Sequence, residues 1–174
     1  MKTRVMNSTK ECIDKKKSDK WDQRFMDLCD HLADWSEDPS RRVGAVIIGE
    51  GNSIISTGYN GLPRGVAMQP EKHFDRNDGR KYHWVEHAER NAIFNAARNG
   101  ISTNMTKVYC SLFPCSDCAR AIIQSGISEL ITRELPKDEI RFAESMAISL
   151  DMLKESGVSV RFFNQNKTRK EALD

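Results

Sequence analysis

Residues 87–132 read HAERNAIFNAARNGISTNMTKVYCSLFPCSDCARAIIQSGISELIT, and the alternation of patterns within them decides the fold. A helical pattern runs from His87 to Arg98 and stops at Asn99-Gly100, a pair that commonly ends helices. A strand is predicted near Lys107–Leu112, then a helix from Cys115 to Gln124 closed by Gly126, then a short apolar strand over Glu129–Thr132. Downstream the pattern predicts a helix from Asp138 to Glu155 that stops at Gly157, and a last strand over Val158–Phe163. Upstream, Val43–Ile48 and Ser53–Thr57 are β-branched runs around the turn cluster Gly49-Glu50-Gly51-Asn52, which reads as a hairpin. A hairpin followed by β-α-β-α-β predicts an α/β chain folded as a three-layer α/β/α domain. Its central mixed five-stranded sheet would have parallel later strands joined by right-handed crossovers. In such sheets, sites form where strands end and helices begin.

Working outward, Trp21, Phe25, Leu28, Cys29 and Leu32 recur at helical spacing and predict a helix with one buried stripe. Residues 1–20 are Lys-rich and poor in apolar positions, so they read as a flexible polar arm ahead of a single domain over 21–174. The polar stretch from Gly58 to about Lys81 reads as a long loop, more than a connector needs. A chain of 174 residues supports one hydrophobic core and is short for two. With 27 basic and 25 acidic residues the net charge is +2, too small to bind nucleic acid by bulk electrostatics; an anionic partner must be met by locally placed cations. No leader-like apolar segment and no membrane-length apolar run is visible, so the expectation is a cytoplasmic protein with no membrane partner. In a reducing compartment, five cysteines do not suggest a disulfide framework. Only Cys115 and Cys118 form a C-x-x-C pair.

Two short motifs sit at the predicted helix starts. His87-Ala88-Glu89 opens one and Pro114-Cys115-Ser116-Asp117-Cys118 opens the next. Three-residue spacing puts both cysteines on one helix face, and the positive end of a helix favours the thiolate that zinc requires. His87 completes a Cys2His set, leaving a fourth tetrahedral position for water whose pKa the ion lowers towards neutrality. Glu89, two residues from His87, is badly spaced for a fourth helical ligand and suits a proton shuttle, general base and then general acid. Each half alone is ambiguous, since H-x-E is common and C-x-x-C also serves redox chemistry or structural zinc. Arg41 and Arg42 stand before the first strand, where they can meet a substrate phosphate or merely solvate the strand end; Arg42 is the candidate retained.

The conjunction H-x-E and P-C-x-x-C, in that order with a strand between, resembles the zinc-dependent cytidine deaminase superfamily, and specifically its deoxycytidylate (dCMP) deaminases. The likeness spans about Trp21 to Phe163. Val43-Gly44-Ala45 and His87-Ala88-Glu89-Arg90-Asn91-Ala92-Ile93 support it, as do Leu112-Phe113-Pro114-Cys115-Ser116-Asp117-Cys118-Ala119 and the loop Gly58-Tyr59-Asn60-Gly61-Leu62-Pro63-Arg64-Gly65. That loop is the feature most particular to the dCMP branch.

The resemblance implies one catalytic zinc per subunit on His87, Cys115 and Cys118, with Glu89 moving protons. It also implies that the Ala88 N–H bonds the pyrimidine O2 and that Asn60 grips the sugar 3′ hydroxyl. The reaction would be hydrolysis of dCMP to dUMP and ammonia, a step towards thymidylate. Such enzymes are typically homohexamers activated by dCTP and inhibited by dTTP with Mg²⁺. Their effector site would here include Gly58, Tyr59, Gly61, Arg64 and Gly65, although a tight turn fixed by Pro63 accounts for the same residues. Several relatives carry a tyrosine over the nucleotide just after the fourth strand, but Thr132-Arg133-Glu134-Leu135-Pro136 has none. This leaves dCTP or another cytosine nucleotide or nucleoside as alternative substrates. A different class, a zinc-binding interaction module without catalysis, would have no need of Glu89.

Overall fold

The β-branched runs pair as their alternation requires. In the computed structural model, which describes residues 19–75, 79–134 and 142–163, the hairpin is β1 (Gly44–Ile48) and β2 (Ile54–Tyr59), joined through a short 3-10 turn at Glu50–Asn52. Antiparallel to β1 on its other side lies β3 (Lys107–Cys110), and β4 (Glu129–Thr132) and β5 (Ser159–Phe162) continue in parallel. The sheet order is β2-β1-β3-β4-β5, the predicted mixed five-stranded sheet.

The period of two along each strand distributes its side chains between two cores. Val46 and Ile48 of β1, with Tyr109 and Ile131, pack against Phe25, Met26, Cys29 and Leu32 of the first helix, α1 (19–33). Ala45, Ile47, Val108, Cys110 and Leu130 point the other way. That face is covered through Ala88, Ala92, Ala119, Ile122, Met146 and Leu153 by three helices, which follow the single-turn helices α2 (Pro70–His73) and α3 (Lys81–Trp84). The three are α4 (Ala88–Arg98), α5 (Ser116–Gln124) and α6 (Ala143–Glu155).

Helices approach the hairpin so closely that two strand positions must lack a side chain. A Cβ at Gly44 would stand 2.0 Å from the Cys29 carbonyl oxygen of α1. On the opposite face, a Cβ at Gly58 would stand 2.3 Å from the Ala88 carbonyl oxygen and 2.4 Å from the Ala92 nitrogen of α4.

Three boundaries differ from expectation. The segment 58–81 contains the single turn α2 and runs into α3, both too short to leave a periodic trace in sequence. Pro70 at the first helical position suits the α2 start. The last long helix begins at Ala143 and not at Asp138; Phe142 has φ −109° and ψ 3°, outside helical backbone, with its ring edge-on to Tyr82 at 5.8 Å. Residues 138–141 lie outside the described residues. Asp19 and Lys20, expected in the polar arm, belong to α1; the rest of that arm, residues 1–18 with Cys12, lies outside the described residues.

Gly58→Ala is expected to destabilise the protein by about 3 kcal/mol, because the added methyl meets backbone and not a movable side chain. A thermal unfolding scan should then show a midpoint ~10 °C lower; a midpoint unchanged within error would mean that α4 does not rest on β2 as described.

Candidate active site

Two helices begin side by side, and their caps carry the chemistry. His87 is the N-cap of α4 (φ −83°, ψ 154°) and Cys115 the N-cap of α5 (φ −73°, ψ 173°), each extended before the first helical residue. Cys118 lies one turn into α5 and is fully buried. The His87 Nδ1 atom stands 3.5 Å from the Cys115 sulfur and 3.3 Å from that of Cys118. All three donor atoms lie within 4.8 Å of one another, and this is the one such His/Cys/Asp/Glu group among the described residues. A tetrahedral zinc ion, ~2.0 Å from nitrogen and ~2.3 Å from sulfur, sets N···S separations of about 3.5 Å, so the donor set and its spacing fit zinc. Three protein ligands leave a fourth position for a water or a substrate atom.

Of the three donors, Cys115 is already in the thiolate form that zinc takes. The hydrogen bond from Cys118, against the opposing cost of burial and with help from His87, lowers the Cys115 thiol to about 3. Its hydrogen bond with Cys115 in turn raises His87 to about 9, with burial opposing and Glu89 adding to the rise. Cys118 is pushed well above its ordinary value by that hydrogen bond and by burial. The trio therefore holds a thiolate at a helix N-terminus, where the dipole stabilises it. Burial is also what raises the Glu89 carboxyl, although His87 pulls the other way. A carboxyl raised in this way beside the trio is suited to taking and returning a proton.

His87, Glu89 and Cys115 line one cleft. Of the residues expected at the substrate, Ala88, Glu89 and Asn60 line it. Ala88 is the first helical residue of α4, so its N–H has no partner inside the helix. Asn60 is buried, and its amide braces the preceding loop. Its Nδ2 donates to the Arg41 carbonyl (2.9 Å) and Asp38 Oδ2 (3.2 Å), and its Oδ1 accepts from the Val43 N–H (2.8 Å). The carbonyl oxygen of an amide has two lone pairs, so Oδ1 can accept one further hydrogen bond.

Arg42 does not line this cleft. Its guanidinium Nε donates to the Asp38 carbonyl at 3.4 Å, and the residue borders an outer groove with Asp30, Asp34 and Arg133. Its neighbour Arg41 borders both that groove and the cleft. Which of the two reaches the cleft is not resolved by the sequence pair alone. Of the glycine-rich loop, only Asn60 reaches the cleft; the rest runs along α4. Asn91 donates to the Tyr59 carbonyl (2.8 Å), Arg64 donates to Asn95 Oδ1 (2.7 Å), and Gly61 exchanges both backbone hydrogen bonds with Glu86. Gly65 takes φ +82°, which favours glycine.

Sequence reasoning missed Asp38, Lys81, Tyr82 and Phe142, all in the cleft wall. Lys81 and Asp38 form an ion pair with N···O 2.6 Å. Burial pushes the Asp38 carboxyl up, but hydrogen bonds from Lys81, Ser40 and the Arg41 N–H outweigh it and leave the pKa below its ordinary value. The signal available in sequence was faint: a lysine six residues before His87, in a loop already singled out as too long.

Residues 19–134 match the cytidine and deoxycytidylate deaminase zinc-binding region. The chain is 37% identical over 154 residues to the deoxycytidylate deaminase of Mus musculus, covering 86% of this chain and 84% of that protein. It is 38% identical over 144 residues to a deaminase encoded in the luxG 3′ region of Aliivibrio fischeri, covering 81% and 92% respectively. The apo dCMP deaminase of the cyanophage S-TIM5 superposes with a TM-score of 0.64 at 26% identity, covering 81% of this chain and 95% of that one. No helix among the described residues is long and apolar enough to cross a membrane.

Cys118→Ala is expected to weaken zinc binding by more than about 100-fold, because residues that merely support a ligand already cost 10–100-fold when removed. Metal analysis after dialysis against a weak chelator measures this. Undiminished zinc in the variant would place the ion elsewhere.

Proposed function

The chain belongs to the cytidine and deoxycytidylate deaminase zinc-binding family, and on that premise we propose that it hydrolyses dCMP, with water, to dUMP and ammonia. The observation that supports this most is the His87, Cys115 and Cys118 trio beside the buried Glu89, at a cleft that His87, Cys115 and Glu89 line. Those three residues hold the metal. When bound, zinc supplies the Lewis acidity that turns a water molecule into a nucleophile near neutral pH. Glu89 takes the proton that water gives up and passes it to the amino nitrogen leaving C4 of cytosine. Its burial serves both halves: a carboxyl whose pKa is raised accepts a proton readily and still releases it.

Substrate is held from two sides. The Ala88 N–H, at the positive end of α4, donates to the pyrimidine O2, and the remaining lone pair of Asn60 Oδ1 accepts from the sugar 3′ hydroxyl. Because the Asn60 amide already braces residues 41–43, binding costs it little ordering. The mouse and cyanophage relatives, both dCMP deaminases, favour dCMP among cytosine compounds. In keeping with the glycine-rich loop, we extend the reading to a cytoplasmic homohexamer activated by dCTP and inhibited by dTTP with Mg²⁺. Gly58, Tyr59, Gly61, Arg64 and Gly65 would form the effector site.

Glu89→Gln is expected to keep its zinc and lose 10²–10⁴-fold or more in kcat, the range for a lost general acid–base group. The assay is loss of cytosine absorbance with dCMP, dCTP, deoxycytidine and tRNA in parallel, each with and without added dCTP or dTTP. Wild-type turnover by Glu89→Gln would refute the mechanism, dCTP outpacing dCMP would reassign the substrate, and rates indifferent to both triphosphates would remove the effector site. Native mass measurement checks the hexamer.

A further inference from the structure

We infer that the buried Lys81–Asp38 ion pair is a positioning device that sets Arg41, and not Arg42, against the 5′-phosphate of the nucleotide. The inference rests on the reading of the cleft as a dCMP site. A buried ion pair is by itself a poor source of stability, so what it organises is the better question. The two side chains are 6% and 2% exposed. Asp38 accepts from the N–H groups of Ser40 (2.9 Å) and Arg41 (3.2 Å), from the Ser40 hydroxyl (2.8 Å) and from Asn60 Nδ2 (3.2 Å); the Lys81 ammonium lies on the same carboxylate and on the Ser40 hydroxyl.

Arg41 is therefore gripped at both of its backbone polar groups, its N–H by Asp38 and its carbonyl by Asn60. Of the two arginines only Arg41 lines the cleft: its guanidinium lies over the Phe142 ring, 5.9 Å from its centroid, whereas Arg42 borders only the outer groove, which Arg41 touches as well. A planar guanidinium held in place suits bidentate contact with phosphate. Lys81 plays a second part: it cancels the Asp38 charge, which would otherwise repel a phosphate entering the same cleft. Residues 38–43, 60 and 81 thus act as one unit, ordered through Asp38.

The readout is the ratio of kcat/KM for dCMP to that for deoxycytidine, which differ only in the phosphate. Arg41→Ala is expected to lower this ratio 10–100-fold, the worth of a charge-assisted hydrogen bond. Lys81→Met and Asp38→Asn should lower it about 10-fold by raising KM for dCMP, with zinc content kept; Asp38→Asn also loosens Asn60, a loss common to both substrates that cancels in the ratio. Lys81→Arg, which preserves the charge, should recover most of the loss. Asp38→Asn is nearly isosteric and guards against a failure of Lys81→Met to fold. A zinc-loaded wild type that deaminates neither substrate overturns the reading of the site and the inference with it. If the wild type is active, three outcomes overturn the inference alone: an equal loss on both substrates in the ion-pair variants, an unchanged ratio with only a lower melting point, or a larger effect of Arg42→Ala than of Arg41→Ala.

Discussion

The close approach of α4 to β2 is the constraint from which the rest follows. A helix can sit this near a strand only where the strand lacks a side chain, and Gly58 meets that condition beneath Ala88 and Ala92. The contact falls on the first turns of α4, so it fixes the position of the helix end that carries His87 and Glu89. Ser56 continues the seat one pair of residues earlier by donating to the Ala92 carbonyl at 2.8 Å. Dispersion contacts and hydrogen bonds along that seam locate the N-terminus of α4 against the sheet. Without it, the two cap residues could not be brought within ligand distance of one another.

The second helix start then has to converge on the first, and the crossover that follows β3 achieves this. Parallel strands joined by helices deliver each helix start to the same edge of the sheet. Cys115 therefore meets His87 although they are 28 residues apart. Bringing a thiolate, a second sulfur and a carboxyl together in a buried place would normally be unfavourable. The two helix N-termini offset part of that cost because their free N–H groups and dipoles favour negative charge. A metal cation offsets more, which explains why this cluster of acidic donors is tolerable in a core otherwise built from Ala, Ile, Leu and Val.

How much of this was legible in the sequence depends on the length of the signal. The five strands and the long helices follow from periodicity, and the layer architecture follows from their order. The pairing of His87 with Cys115 and Cys118 was legible because residue type and spacing are both restrictive. The outer half of the cleft was not. Lys81 and Asp38 look like ordinary surface charges, since such residues are rarely buried unless paired, and their partnership spans 43 residues across an irregular loop. The choice between Arg41 and Arg42 was equally hidden: which of the two reaches the cleft depends on hydrogen bonds with Asp38 and Asn60. Phe142 escaped for a third reason. Helical periodicity runs through it, and its contacts with Tyr82 and the Arg41 guanidinium mark it as part of the wall.

The arrangement also explains how a chain of net charge +2 can recognise an anion without a cationic surface. In the reading proposed above, the cleft is polar at two ends with opposite character. At one end lie His87, Cys115 and Glu89, where the negative donors await a cation and a proton moves. At the other, Lys81 and Asp38 cancel, and the Arg41 side chain lies on the same wall. The field of a guanidinium in such a wall is largely screened by water and salt beyond about 10 Å. Such a site distinguishes a nucleotide from a nucleoside at contact range while exerting little pull on a long polyanion. Selectivity for a small phosphate ester is then a matter of where a few buried charges are anchored, and the anchoring belongs to the same polar network that braces the hairpin.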